Sequence, residues 1–198
     1  MRYGADHKEK TRERVLAETA KAIRQEGPHG ISVAGVMARA GLTHGAFYAH
    51  FGSRDALLAA GVDRMFKEGR ARLTGEVEAG QTPVEALRRY VNFYLSRDHR
   101  DADGWGCPVP VLSAEAPRLT GAVRERFAQG VADLTAVIAG MLSELDIEHP
   151  KENAASLLAE MVGALALARA EPDQARSDAI LKASRLSLRR RFGVEPSL

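Results

Sequence analysis

Apolar side chains recur at intervals of three and four residues along most of this 198-residue chain. That interval places them on one face of an α-helix. Val15, Thr19, Ala22 and Ile23 show the pattern near the start of the sequence. No segment alternates apolar and polar residues with the period of two that a half-buried β-strand requires. The sequence therefore predicts an all-α fold.

Glycine and proline residues divide the helical pattern into about nine segments. Gly27-Pro28 ends a first helix over residues 7–26, and Gly41 separates two short helices. Residues 97–104 are polar and rich in turn formers, which predicts a loop. The longer helices are predicted over residues 54–77, 83–97, 106–115, 117–145, 151–170 and 173–191.

Composition places the chain among soluble cytoplasmic proteins. The hydrophobic share is 45%, but no run of about 18 apolar residues is long enough to cross a bilayer. The first residues also lack the apolar core of a secretion signal. One cysteine, Cys107, cannot form an internal disulfide, which agrees with a reducing compartment. We expect no membrane association.

The short motifs of common enzyme classes are absent from the sequence. The six histidines show no metal-ligand spacing with cysteines or acids. The sequence contains neither a Gly-x-Ser-x-Gly nucleophile elbow nor a glycine-rich phosphate loop ending in Gly-Lys-Ser/Thr. We therefore expect a protein that is not an enzyme and needs no cofactor.

Basic residues are concentrated in the N-terminal part of the chain. Residues 1–55 carry nine Lys or Arg and six Asp or Glu, an excess of +3, although the whole chain is only +2. No acid occurs between Glu26 and Asp55. An excess of this size permits nucleic-acid binding but is equally typical of a solvated charged surface.

Two short helices that meet at Gly41 have the order of a helix-turn-helix. Ser32 and Thr43 are suited to cap them, because hydroxyl side chains accept hydrogen bonds from the first helical amides. Such pairs also occur in bundles that never contact DNA, so the exposed residues decide the interpretation. Phe47 and Phe51 are four residues apart and should face inward. The other side then carries small or hydrogen-bonding residues, namely Thr43, His44, Gly45, Ala46, Tyr48 and His50.

The run from Gly41 to Leu57 resembles the signature of TetR/AcrR-family transcriptional regulators. That signature has a Gly-apolar turn, a hydroxyl residue, a small residue, then an apolar-Tyr-x-His-Phe core and Ser-Arg-acid-x-Leu. The residues of this chain that match it are Gly41, Thr43, Gly45, Phe47, Tyr48, His50, Phe51, Ser53, Arg54, Asp55 and Leu57. The resemblance implies a three-helix DNA-binding domain over residues 1–52 and a helical effector-binding and dimerisation domain over residues 53–198.

The resemblance also implies a homodimer that binds a palindromic double-stranded DNA operator and represses transcription until a small apolar or electrophilic effector releases it. Lys8, Lys10 and Arg12 either add DNA contacts or are simply solvated. Phosphate contacts are implied for Thr43, Tyr48, His50 and Arg54, base contacts for His44, Gly45 and Ala46, and a further DNA contact for Ser32.

Aromatic and methionine residues in the C-terminal part are candidates for effector contact, although residues of this type more often fill a core. The candidates are Tyr90, Phe93, Tyr94, Trp105, Cys107, Phe127, Met141 and Met161. Cys107 precedes a predicted helix and is either a modifiable sensor or an inert buried thiol. The last two helices, with small residues at Gly163, Ala166 and Ala168, either form the dimer interface or fill the monomer core.

A second functional hypothesis is a helical ligand-binding or adaptor protein that does not bind specific DNA. Tyr48, His50 and Arg54 argue against it, because nothing in such a protein requires these residues. Binding to an operator distinguishes the two hypotheses.

Overall fold

The computed structural model describes residues 2–195, with side chains from residue 6 onward. Residues 2–195 contain helices and no β-strand, so the predicted all-α class is confirmed. No helix within this range is both long enough and apolar enough to cross a bilayer. The chain forms two compact units, one comprising residues 1–68 and 103–130 and the other residues 69–102 and 131–198.

The first unit begins with α1 (Arg2–Gly30), which is interrupted where the sequence predicted its end. Gly27 has a φ of 74° and a ψ of 167°, which lie outside the helical region. The short helix α2 (Val33–Arg39) follows, and its first turn is capped by Ser32 Oγ, which accepts a 3.0 Å hydrogen bond from the amide of Gly35. The break and the cap together redirect the chain after α1.

A turn at Gly41 connects α2 to the next helical segment. Gly41 has a φ of 67°, a left-handed conformation that glycine adopts without steric cost. The segment that follows, His44–Ala49, is a 3-10 helix rather than the predicted α-helix. Thr43 precedes it but makes no capping hydrogen bond with its side chain.

The remainder of the first unit comes from α3 (Arg54–Glu78), α6 (Val109–Leu112), a 3-10 turn at Ala116–Arg118 and α7 (Gly121–Ser143). Residues up to 68 of α3 and up to 130 of α7 belong to this unit. A Cβ atom added to Gly130 would lie 2.2 Å from the ring of Phe66, so the two helices approach more closely than any other residue would allow. The unit's core contains Val15, Ile23, Val36, Met37, Phe47, Phe51, Leu57, Val62, Met65 and Phe66.

The second unit contains the ends of α3 and α7 together with α4 (Pro83–Tyr94), α5 (Arg97–Arg100), α8 (Pro150–Ala170) and α9 (Gln174–Arg191). Pro83 and Pro150 begin their helices, as predicted. In α9, Asp173 caps the first turn by accepting a 2.8 Å hydrogen bond from the amide of Arg176. The core of this unit contains Leu87, Val91, Tyr94, Ile138, Leu142, Leu157, Met161, Leu165, Leu181 and Leu188.

Four predicted segments in the middle of the chain have boundaries that differ from the structure. The helix predicted over residues 117–145 is α7 (Gly121–Ser143), and a separate 3-10 turn precedes it. The helix predicted over residues 83–97 ends at Tyr94, and the predicted loop 97–104 contains α5. The helix predicted over residues 106–115 consists only of Val109–Leu112. Gly104 and Gly106 have positive φ, so the helix cannot include residue 106 as predicted. The predicted domain boundary after residue 52 concerns function and stays a prediction.

Candidate nucleic-acid interface

Phe47 and Phe51 hold the His44–Ala49 segment against the first unit. Their side chains are 3% and 4% exposed, and their rings stack with centroids 5.9 Å apart. The guanidinium of Arg12 lies over the ring of Phe51, 5.0 Å from its centroid. Arg12 therefore packs against the segment as well as carrying charge. The sequence suggested only that Arg12 contacts DNA or is solvated, and did not include this packing role.

The opposite side of the segment faces solvent. Thr43, His44 and Gly45 are exposed, Ala46 is half-buried, and the side chain of Tyr48 is 71% exposed. The rings of His44 and Tyr48 meet edge to face at 6.2 Å. The structure thus brings the predicted base-contacting residues and Tyr48 onto one accessible surface of the first unit.

His50 lies at the end of this segment and is half-buried. Its Nδ1 is buried and has no hydrogen-bond partner among the described residues. A buried polar atom without a partner is unfavourable in a folded protein. Its ring is tilted against that of its neighbour Phe51, with the two centroids 6.4 Å apart.

Arg54 begins α3 and contacts the connection between α1 and α2. Its Nη2 donates hydrogen bonds to the carbonyl oxygens of Pro28 at 2.9 Å and Ile31 at 3.2 Å. No other hydrogen bond of Arg54 occurs within residues 2–195. A guanidinium has five N–H donors, so this structural role leaves donors for a phosphate.

The exposed surface around the 3-10 segment contains few negative charges. The sequence from residue 27 to residue 54 has no acid, and Glu26, which precedes it, forms an ion pair with Arg39. An uncompensated carboxylate would repel a phosphate backbone. This segment therefore offers hydroxyl, imidazole and amide donors within a stretch of sequence that contains no acid.

Arg24 forms a buried cluster that the sequence interpretation missed. Its side chain is 4% exposed and forms an ion pair of 2.9 Å with Glu68 in α3. It also donates to the carbonyl oxygens of Gly106 at 3.2 Å and Gly104 at 3.4 Å. Arg24 thus joins α1, α3 and the segment before Cys107 within the first unit. Partners some 80 residues away leave no local signal in the sequence.

Three of the predicted effector residues lie together in the second unit. Tyr90 and Tyr94 are buried with ring centroids 6.0 Å apart, and Tyr94 meets the ring of His99 edge to face at 4.8 Å. Phe93 stacks on the same imidazole at 5.5 Å. His99 therefore completes an aromatic cluster in a segment that the sequence predicted to be a solvated loop.

The buried imidazole of His99 is neutral at physiological pH. Its Nδ1 lies 2.8 Å from the carbonyl oxygen of Tyr94, and the side chain is almost completely buried. The pKa of His99 is lowered to about 4, mainly by burial, with smaller contributions from the charges of Arg169 and Arg72, while the hydrogen bond to Tyr94 opposes the shift.

Arg100, next to His99, is also buried and paired. It donates to both carboxylate oxygens of Asp101, to Asp178 at 2.7 Å and to Ser177 at 2.9 Å. The hydrogen bond to Asp101 raises the pKa of Arg100 and lowers that of Asp101. The loop predicted over residues 97–104 is wrong for residues 97–100, which form α5, because α9 supplies partners that the local sequence does not reveal.

The other five effector candidates do not form one cluster. Met141 and Met161 belong to the second unit and are 6% and 0% exposed, as core residues are. Trp105, Cys107 and Phe127 belong to the first unit. Cys107 is 9% exposed and precedes the single turn of α6. One turn supplies little of the helix dipole that the sensor interpretation invoked.

The fold and the exposed segment define an all-helical protein with a helix-turn-helix module near its N-terminus. Residues 15–60 match the family model described as bacterial regulatory proteins, tetR family. The match includes the Gly41–Leu57 run, so it supports the predicted resemblance of this segment to the family.

Sequence relatives support the same assignment. An uncharacterized HTH-type transcriptional regulator of Mycobacterium tuberculosis is 34% identical over 128 residues, and a second strain of that organism has one with the same identity. The alignment covers 64% of this chain and 62% of the relative's length.

Solved structures share the fold. Escherichia coli NemR in its reduced form superposes with a TM-score of 0.80 and 24% identity, covering 91% of this chain and 96% of NemR. A TetR-family regulator from Cytophaga hutchinsonii gives a TM-score of 0.76 and 23% identity, covering 90% and 93% of the two chains.

Proposed function

We propose that this protein is a sequence-specific DNA-binding transcriptional regulator, and specifically a repressor, rather than an enzyme. The observation that carries the proposal is the exposed surface formed by Thr43, His44, Gly45 and Tyr48, which lies in a stretch without acids. Hydroxyl and imidazole groups donate to phosphate oxygens, and small residues allow close approach to base edges. Ser32, Ala46, His50 and Arg54 complete the proposed contact set.

Operator binding tests this proposal directly. The protein is titrated onto fluorescent duplex DNA from upstream of its own gene, at physiological salt and with excess unrelated competitor, while anisotropy is recorded. We expect saturable binding that survives the competitor. If neither this duplex nor any duplex selected from a random pool binds above the competitor level, the protein is instead a helical ligand-binding or adaptor protein.

We propose further that the regulator is a homodimer formed through α8 and α9. The exposed face of α8 carries Ala155, Ala159, Ala166 and Leu167, and the side chain of Leu167 is 63% exposed. Small residues allow two helices to pack closely, and an exposed apolar surface is typical of an interface. The exposed face of α9 carries Ala175, Ala179 and Ala183. Ala168 is buried and belongs to the monomer core.

Effector release is the remaining part of the proposed function. The cluster of Tyr90, Phe93, Tyr94 and His99 is aromatic, which favours an apolar or aromatic small molecule. We propose that its binding shifts α3 and lowers the affinity for DNA. Adding candidate compounds to the preformed complex with operator DNA, and recording loss of anisotropy, identifies the effector.

Modification of Cys107 is a second candidate release signal. Arg24 anchors Gly104 and Gly106, which directly precede the thiol, to α1. A larger or charged group on the sulfur would disturb these contacts, because the thiol is buried. Diamide or iodoacetamide should then release DNA from the wild type but not from Cys107→Ser. Equal behaviour of the two proteins identifies Cys107 as an inert thiol.

A further inference from the structure

The second unit contains a groove that none of the predicted effector residues lines. It has a volume of about 340 Å³ and lies between residues 95–98, at the end of α4 and the start of α5, and α9. The α9 wall consists of Asp178, Leu181, Lys182 and Arg185. Sites for small molecules commonly start at about this volume.

Asp178 contributes little negative charge to the groove because two arginines pair with it. Arg97 and Arg100 both donate hydrogen bonds to its carboxylate, the second at 2.7 Å. The bond from Arg97 is the main reason that the pKa of Asp178 is lowered. The carboxylate is therefore committed to this pair of arginines, and its charge is compensated within the second unit.

Neither Lys182 nor Arg185 forms an ion pair with an acid of residues 6–195, although Asp98 and Asp178 line the same groove. Lys182 is exposed and forms neither an ion pair nor a hydrogen bond with the rest of the described chain. Arg185 donates from Nη1 to the carbonyl oxygen of Leu95 at 2.9 Å, and that acceptor is neutral. The carbonyl fixes the guanidinium against α4 without cancelling its charge.

Positive charge continues along α9 beyond the groove. Arg189 lies one helical turn after Arg185, and its Nε is buried without a hydrogen-bond partner in the described structure. Burial lowers the pKa of Arg189, and repulsion from Arg185 and Arg88 lowers it further, with partial compensation from Glu195. Arg189 therefore adds a guanidinium one turn beyond the groove, and Glu195 offsets part of its charge.

The groove is lined by apolar as well as charged side chains, and the charged ones would orient a ligand within it. Leu95 and Leu181 contribute apolar side chains to its lining. Asp98 is exposed on the wall opposite α9, and its carboxylate would repel a negatively charged group of a ligand. An anionic head group is therefore directed toward Lys182 and Arg185.

We propose that this groove binds a small organic carboxylate, with its head group at Lys182 and Arg185 and its apolar body against Leu95 and Leu181. The site differs from the aromatic cluster around His99 and does not depend on DNA binding. A carboxylate rather than a bare inorganic ion fits, because the lining combines cations with leucine side chains.

Titration of the full-length protein with benzoate, in the absence of DNA, tests the proposal. We expect saturable binding by isothermal titration calorimetry or by NMR shifts. Benzamide has nearly the same shape without the charge and should bind about tenfold more weakly, since a charge-assisted hydrogen bond contributes on that scale. Inorganic phosphate, which lacks the apolar body, should also bind more weakly than benzoate.

Matched variants locate the site. Lys182→Gln and Arg185→Gln should each weaken benzoate binding about fivefold or more. Arg190→Gln removes the same charge from an exposed position of α9 outside the groove and should leave the affinity unchanged. Because Arg185 also contacts Leu95, a thermal melt accompanies each variant, and Lys182→Gln carries the test if Arg185→Gln does not fold.

Three outcomes would overturn the proposal. Benzoate does not saturate, benzamide binds as tightly as benzoate, or Arg190→Gln weakens binding as much as the groove variants do. The last outcome would indicate a general attraction of anions to α9. None of these results bears on operator affinity, which is measured separately, so failure here leaves the proposed regulator function intact.

Discussion

Arg54 donates a 2.9 Å hydrogen bond to the carbonyl oxygen of Pro28, which lies 26 residues earlier in the chain. The bond ties the start of α3 to the connection that follows the break at Gly27. A residue predicted to contact phosphate therefore also stabilises the helix-turn-helix itself. Variants at this position will change both DNA affinity and folding, and the two effects must be separated.

Substitutions at Tyr48 and Arg54 separate the effect on DNA affinity from the effect on folding. Arg54→Ala should lower the free energy of unfolding by about 1 to 3 kcal/mol, because two partly buried carbonyl oxygens lose their donor, and should also reduce operator affinity. Tyr48→Phe removes one exposed hydroxyl, so we expect an unchanged melting temperature and weaker DNA binding. Anisotropy titrations across a salt series, together with thermal melts, measure both quantities. Unchanged DNA affinity in Tyr48→Phe would remove Tyr48 from the interface.

The contact between Gly130 and Phe66 predicts that alanine substitutions at two glycines of α7 have opposite effects on stability. Gly130→Ala should destabilise the protein by about 1 to 3 kcal/mol, because the added methyl group overlaps the phenyl ring. Gly140→Ala, where a Cβ meets open space, should stabilise it by about 0.5 to 1 kcal/mol. Urea unfolding of both variants gives the comparison, and equal effects would contradict the close helix contact.

His99 predicts a loss of stability at mildly acidic pH. Its pKa is about 4 in the folded protein and 6.5 in the unfolded chain, so the unfolded state binds the proton more tightly. Stability contributed by the neutral imidazole is present above pH 6.5 and is lost as the pH falls toward 4. Between pH 6.5 and 5 the loss should approach about 2 kcal/mol.

Urea unfolding at several pH values measures this dependence in the wild type and in His99→Phe, which keeps an aromatic ring in the cluster. The variant should be less stable at neutral pH but less sensitive to acid. An NMR titration that finds His99 protonated at pH 6 in the folded protein would contradict the predicted dependence.

The proposed α8–α9 interface predicts that a bulky side chain at one position of α8 changes the protein in solution from a dimer to a monomer. A Cβ at Gly163 in α8 meets no atom within 4 Å, so Gly163→Arg should fold normally and yet block a close helix contact between subunits. We expect a monomer by light scattering after gel filtration. Gly140→Arg, equally unobstructed on α7, should remain dimeric. If Gly163→Arg keeps the wild-type mass, the interface lies elsewhere.

Local chemistry explains what the sequence could predict. The turn at Gly41, the cap at Ser32 and the inward position of Phe47 and Phe51 each depend on residues within a few positions of one another. The His44–Ala49 segment was assigned as helical, but its 3-10 form was not foreseen. Its i to i+3 bonds, such as the 3.1 Å contact from Ala46 to Thr43, suit a short segment of this kind.

Long-range partners explain what the sequence could not predict. In the sequence alone, His99 and Arg100 look like parts of a polar loop. In the structure, Ser177, Asp178 and Arg169 form hydrogen bonds with these two residues. A polar run is solvated unless distant helices supply hydrogen bonds, and spacing alone does not reveal such helices. All eight effector candidates, including the clustered Tyr90, Phe93 and Tyr94, stay predictions.

The first compact unit is assembled from two separate stretches of sequence, and this has a consequence for how the chain folds. Arg24 finds its carbonyl partners at residues 104 and 106, and Phe66 is covered by α7 at Gly130. A ribosome must therefore synthesise residues 69–102 before the N-terminal module can complete its core. We expect nascent chains shorter than about 130 residues to stay sensitive to protease throughout this module, even after the residues proposed to contact DNA have left the exit tunnel.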